Sequence, residues 1–283
     1  MCRWMAWHGQ SVLVDELLFK TQHGLVDQSL HSRLGAETTN GDGFGMGWYG
    51  AGDGPGIYRS VQPAWSDANL RELACHVESP LFLAHVRAAI GSPVQETNCH
   101  PFRHGRWLFV HNGFVDGFHL VRRDLMLAVA PELFSDVLGS TDTEVLFHLA
   151  LTHGLEEDPV AALERAVGIV EEAGRAHGVA FPFQGSIGVS DGESLWAARY
   201  SSEGRSRSLF VSGDVHALRQ LHPENERVQR LLETDRVIVS EPLAEMPGFW
   251  HEVGEATAIT IHQGGAMERR PFVPSAAALI PSG

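Results

Sequence analysis

Cys2 brings together the most reactive pair of groups the chain offers. Removal of an initiating methionine, common before a small residue, would leave Cys2 with both its thiol and a free α-amine. A thiol of pKa ~8.5 beside an amine of ~7.7–8.0 puts nucleophile and base within one residue. Position alone supports a plainer reading, since second residues are usually frayed termini. Arg3-Trp4-Met5-Ala6-Trp7 follows, apolar enough for a buried strand, and a terminus held in a core is not frayed.

Five further stretches hold groups that could act beside such a thiol. Gly41-Asp42-Gly43-Phe44-Gly45-Met46-Gly47 suggests a phosphate cradle, but no helix pattern follows it. A tight backbone approach beside a ligand or nucleophile suits it better. Ala84-His85-Val86-Arg87 ends an apolar strand in a guanidinium. Arg87 is either a surface ion-pair partner or a two-pronged clamp for a carboxylate. Asn98-Cys99-His100-Pro101-Phe102 is a loop with a proline-fixed backbone. His111-Asn112-Gly113 closes another strand and in isolation reads first as a hairpin turn. The alternative is an oxyanion hole, with the Asn112 amide and the Gly113 N–H as donors. Asp142 stands in a helix-capping sequence, as a first-turn acid or as the reader of an ammonium group.

The elements that must position these residues are legible in part. Leu81 to Val86 and Trp107 to Val110 read as strands. Leu70, Leu73, Ala74 and Val77 recur with helical spacing between Trp65 and Pro80, with Ser66 or Asp67 as the cap. Thr141-Asp142-Thr143-Glu144 is a capping box opening a second helix. Asp158-Pro159 opens a third, which Gly178 stops. Ser186 to Ser190 and Leu195 to Tyr200 flank an Asp191-Gly192 turn as a hairpin. Leu209 to Ser212, Arg236 to Val239 and Ala256 to Ile261 continue as strands, with another short one after Gly264-Gly265. Strands in hairpins with helices in blocks give an α+β fold. Residues 2–272 read as one domain, and 273–283 as a loose tail.

Composition narrows the function. With 43% hydrophobic residues the 283-residue chain can bury a sizeable core. Its formal charge of −14 argues against nucleic-acid or anionic-membrane surfaces, which need clustered Lys and Arg. No apolar run approaches the ~20 residues that span a bilayer, and the opening residues lack a signal-peptide pattern. The expectation is a soluble cytoplasmic protein. Cys2, Cys75 and Cys99 form an odd set without CxxC, so neither a disulfide framework nor a zinc site is expected.

In order along the chain, these motifs closely resemble the class II glutamine amidotransferases, the glutaminase branch of the N-terminal-nucleophile hydrolases. The resemblance runs from Cys2 through Asp42-Gly43-Phe44-Gly45, Ala84-His85-Val86-Arg87, His100-Pro101-Phe102, His111-Asn112-Gly113 and Thr141-Asp142-Thr143-Glu144. More weakly, it takes in Val239-Ser240-Glu241-Pro242-Leu243. It implies an αββα sandwich of two stacked antiparallel sheets flanked by helices. It also implies Cys2 as nucleophile with its own α-amine as base, Arg87 on a substrate α-carboxylate, and Asp142 on the α-ammonium. Asn112 and Gly113 match the oxyanion hole, and His100 lies in a motif lining the pocket. No cofactor is implied. One departure is that Ala88-Ala89-Ile90-Gly91 follow the arginine, where the larger amidotransferases carry Trp and then Thr-His. The lip of the pocket is therefore expected to differ.

A glutamine-type substrate has one carboxylate, one ammonium and one γ-amide, which this set of groups matches. After residue 262 nothing the size of a second catalytic domain remains. Two enzyme readings follow: a self-sufficient amidohydrolase acting on glutamine or a γ-glutamyl conjugate, or a glutaminase subunit supplying ammonia to a separate synthase. The Cys-Arg-Trp opening, His23-Gly24-Leu25-Val26-Asp27-Gln28-Ser29 and the Ser-Glu-Pro-Leu element look like the small ergothioneine-pathway γ-glutamyl hydrolases and their relatives. A third reading is a non-catalytic amino-acid-binding relative that keeps the pocket without the reaction.

Overall fold

The computed structural model describes residues 2–34, 39–89 and 91–275. Its first strands are β1 (Arg3–Leu13), β2 (Phe44–Tyr49), β3 (Gly56–Ser60) and β4 (Glu78–Val86). Then come β5 (Phe102–His104), β6 (Trp107–Val115), β7 (Phe183–Ser190), β8 (Leu195–Ser201) and β9 (Phe210–Ser212). The last are β10 (Arg236–Val239), β11 (Trp250–Glu252), β12 (Thr257–Ile261) and β13 (Met267–Pro271). Every pairing is antiparallel. One sheet runs β11-β9-β10-β1-β4-β2-β3 and the other β13-β12-β8-β7-β6-β5. The helices are α1 (Asp15–Leu18), α2 (Leu25–Leu30), α3 (Ala68–Ala74), α4 (Phe118–Leu127), α5 (Asp142–Thr152), α6 (Pro159–Ala176), α7 (Val215–Leu221) and α8 (Glu226–Arg230).

The side-chain alternation of the strands sorts this set into four layers. Trp4, Ala6, Leu83, Leu108, Val110, Ala197 and Ile259 point inward from both sheets and form the central core. Met5, Trp7, Phe82 and Ala84 lie on the outer face of the first sheet, against Leu18, Leu25 and Leu70. Phe109, Ile187 and Val189 on the outer face of the second sheet meet Val121, Val145, Leu163 and Val167 of α4, α5 and α6. This is the expected αββα sandwich. Because β1 is covered on both faces, Arg3 to His8 are all buried, and the strand reads as a continuous apolar run.

Local signals predict the long helices well. Thr141 caps α5 by accepting from the Glu144 N–H. Asp158 caps α6, and Pro159 is its first residue. The helix expected between Trp65 and Pro80 is shorter than its periodicity suggests. Asp67 caps it at Ala68, and β4 has already begun at Glu78. Of the expected loose tail, residues 276–283 lie outside the described residues, while Val273 N–H donates to Glu164 Oε1 at 2.8 Å.

The glycine-rich stretch is strand β2 rather than a cradle. A Cβ on Gly45 would come within 2.2 Å of the His100 carbonyl, and one on Gly47 within 2.8 Å of Leu108. The close approach is thus between β2 and the segments facing it from the other sheet. Asn112-Gly113 is likewise no hairpin turn, because β6 runs on through both residues to Val115.

Candidate active site

Cys2 sits immediately before β1 and is partly exposed, with its Sγ 3.6 Å from the Ala88 carbonyl. Burial pushes its thiol above the ordinary cysteine value, opposed by the Ala88 contact and the Arg87 guanidinium; Asp142 adds to the rise. Both charges therefore act on the thiol, although they come from residues 85 and 140 positions away in the chain. A raised thiol pKa means the nucleophile needs a base. Met1, whose removal would free that amine, lies outside the described residues.

Arg87 follows the last residue of β4 and is 3% exposed. Its Nη1 donates to the Asp42 carbonyl at 3.3 Å, and its Nη2 to Ser92 Oγ at 2.7 Å and to the Pro93 carbonyl at 3.2 Å. All three acceptors are neutral, and no carboxylate among the described residues forms an ion pair with it. Such a guanidinium is held in shape while its charge is left for an anion. The Asp42 carboxylate is engaged elsewhere, accepting from the Ala89 N–H at 2.8 Å. Of the departing stretch after the arginine, Ala88 and Ala89 thus support the thiol and Asp42, while Ile90 lies outside the described residues.

Asp142 opens α5. Its Oδ1 accepts from the Thr143 N–H and its Oδ2 from the Val115 N–H, both at 2.7 Å. The second bond ties it to β6, two residues beyond Gly113. The capping box is half realised: the Glu144 carboxylate turns to the Leu138 and Gly139 N–H groups, at 2.9 and 2.7 Å, instead of closing on Thr141.

Asn112 points from β6 into the space between the sheets and is 4% exposed; its carboxamide makes no hydrogen bond to a described residue. Its register partner is Ser186, and that of Gly113 is Gly185. A Cβ on Gly113 would fall 2.0 Å from the Gln184 carbonyl, so only glycine fits. His100 is placed differently from the rest. It is buried, its ring lies tilted against those of His85 and Phe102, with centroids 4.0 and 4.8 Å away, and its Nδ1 accepts from the His111 N–H at 3.4 Å. It supports β6 from beneath.

Asn98 belongs to a quoted motif, but sequence reasoning gave it no role. It is fully buried and joins the two charge-bearing segments. Its Nδ2 donates to the Pro93 carbonyl at 2.9 Å, the oxygen that Arg87 also uses, and to Ser140 Oγ at 3.1 Å. Its Oδ1 accepts from the Ser140 N–H at 2.8 Å, two residues before Asp142. No local pattern signals this bridge, because its Ser140 end lies 42 residues away.

A cavity of about 680 Å³ opens elsewhere, on the outer face of the first sheet against Trp7, Leu17, Val237, Leu243 and Trp250. None of the residues above lines it. Among the described residues, no group of three His, Cys, Asp or Glu is placed to hold a metal.

A thiol under the charges of a buried guanidinium and a carboxylate thus stands at the head of a strand in a four-layer sandwich. The chain belongs to the glutamine amidotransferases class-II, whose family model matches residues 20–269. It is 32% identical to the probable glutamine amidotransferase DUG3 of Saccharomyces cerevisiae, across 92% of this chain and 82% of that protein. It is 38% identical to the gamma-glutamyl-hercynylcysteine sulfoxide hydrolase of Mycobacterium tuberculosis, across 41% of this chain and 50% of that protein. Among solved structures it resembles a glutamine aminotransferase class-II domain protein from Silicibacter pomeroyi, with a TM-score of 0.73 and 36% identity. That likeness covers 97% of this chain and all of the other.

Proposed function

We propose that this chain is a self-sufficient amidohydrolase that cleaves the γ-amide of glutamine or of a γ-glutamyl conjugate and releases glutamate. The observation that carries this reading is the Arg87 guanidinium, buried among neutral oxygens and without a carboxylate partner among the described residues. A substrate α-carboxylate would complete it, and Asp142, which among the described residues accepts from two N–H groups and a hydroxyl, would take the α-ammonium. Fixing both charges orients the γ-amide against the thiol, which converts binding into barrier lowering of several kcal/mol.

In this mechanism the α-amine of a processed Cys2 takes the thiol proton and the thiolate adds to the amide carbon. The Asn112 amide and the Gly113 N–H receive the negative oxygen. The amine returns the proton to the leaving nitrogen, the C–N bond breaks, and a γ-glutamyl thioester remains. Water then adds to the thioester, and glutamate leaves with the thiol restored. The similarity to a gamma-glutamyl-hercynylcysteine sulfoxide hydrolase supports the choice of a γ-glutamyl bond.

The test is a screen of purified protein against glutamine, γ-glutamyl amines and γ-glutamyl thiol conjugates, following glutamate release. Turnover of at least one, lost in Cys2→Ala, is expected. Failure on all of them until a separate synthase is added would replace this reading with the ammonia-supplying subunit.

A further inference from the structure

Two sequence motifs without a role above meet at one carboxylate. Glu241 is 2% exposed and filled by four donors. Its Oε2 accepts from Arg3 Nε at 2.8 Å and the Leu34 N–H at 3.0 Å; its Oε1 accepts from His23 Nε2 at 2.6 Å and the Arg33 N–H at 2.8 Å. These donors hold its carboxyl below the usual range although burial alone would raise it. Arg3 in turn donates from Nη1 to the Cys2 carbonyl at 2.9 Å. One residue earlier, Ser240 grips the next peptide of β1: Trp4 N–H donates to Ser240 Oγ, and Ser240 N–H to the Trp4 carbonyl, both at 2.9 Å. On the far side, His23 Nδ1 faces the half-exposed Asp27 carboxylate at 2.6 Å.

We propose that Glu241 is a positioning residue for Cys2. Through Arg3 it fixes the nucleophile's own carbonyl. Through the Arg33 and Leu34 amides it binds the same anchor to the segment leading to Asp42, the residue that supports Arg87 and Ala89. A nucleophile that uses its own α-amine as base is by that chemistry the first residue, and no preceding peptide then holds it. A buried carboxylate reaching it through a rigid, planar guanidinium supplies that restraint. The four-donor arrangement also explains why the His23–Ser29 and Ser240–Leu243 motifs occur together: each supplies part of one cluster.

This inference rests on the reading of Cys2 as nucleophile, so its test includes readouts that do not require turnover. In Glu241→Gln, kcat is expected to fall at least tenfold while KM stays within threefold, the opposite of Arg87→Ala. Alkylation of Cys2 by iodoacetamide, which needs the thiol but not an aligned attack, should stay within threefold. Amide exchange at Arg33 and Leu34 should accelerate, whatever the substrate proves to be. Arg3→Lys, which keeps the charge but not the planar fork, should show the same kcat loss and serves if Glu241→Gln does not fold. A folded variant with kcat within twofold of the parent overturns the proposal, as does a kcat loss matched by an equal loss of alkylation. If the parent protein hydrolyses no γ-glutamyl compound, the proposed function fails, and unchanged exchange at Arg33 and Leu34 would sink the tether separately.

Discussion

Trp4 Nε1–H donates to Ser186 Oγ at 3.0 Å, and both residues are fully buried between the two sheets. Trp4 lies two residues after Cys2 on β1, while Ser186 is the register partner of Asn112 on β7. The bond therefore joins the strand that carries the thiol to the hairpin that carries the amide, across a largely apolar interface. Ser186→Ala strands the indole N–H away from water, at a cost of about 1–3 kcal/mol in stability. Denaturant unfolding should show that loss. Hydrolysis should slow more than binding, because the thiol and the oxyanion donors lose a common reference.

The three cysteines should separate cleanly. Cys2→Ala is expected to abolish hydrolysis and leave the fold intact. Cys75 is exposed just after α3, with its Sγ 3.6 Å from Asp15 Oδ2. Cys99 is buried, faces the Ser60 and Gln95 carbonyls, and has its thiol pushed up to about 11, chiefly by burial. Alanine at either should keep most of the activity. A glutamine-mimicking electrophile should add its mass to Cys2 alone; peptide mapping that finds it on Cys75 or Cys99 would overturn the assignment.

Substitutions in the amino-acid grip should act on binding. Arg87→Ala or Asp142→Asn is expected to weaken substrate binding by roughly 2–5 kcal/mol, the general cost of breaking a desolvated charge pair. Arg87→Lys should recover little, since an ammonium cannot meet Ser92, Pro93 and an anion together. Asn98→Ala should raise KM although it touches no substrate, because it releases both charge-bearing segments. Steady-state kinetics with unaltered KM in Arg87→Ala would remove Arg87 from the site.

Buried imidazoles set an acid limit on stability. His85 and His111 are almost wholly inaccessible, and burial lowers them from 6.5 to about 3 and about 4. In the unfolded chain both take up protons near pH 6.5, whereas the folded protein refuses them until pH 4 or 3. The unfolded state thus binds more protons across that window, and stability falls as pH drops through it, by several kcal/mol in all. Thermal unfolding at pH 4.5 should begin well below that at pH 7. His85→Leu, which removes one titrating group, should flatten the slope, and an unchanged slope would show that His85 is not the group responsible.

Some of this was legible in the residues themselves. The caps Asp67, Thr141 and Asp158 mark helix starts because each bonds to an amide three residues on, well within a local window. The strand leading to Arg87 could be read from its apolar run, and the order of motifs from Cys2 to Asp142 identified the family. Tertiary structure alone decided what those residues touch. The short helices α1 and α2 are four and six residues long, too brief for periodicity to signal, and are made by packing against the first sheet. The glycines of β2 became a strand because the opposite sheet presses on them. Asn98, Ser186 and Glu241 gain their roles from partners 42, 182 and 238 positions away. Pairings at such separations leave no periodic trace in the chain. They arise when two sheets close on each other and buried polar groups must find partners at the distances the backbone leaves them.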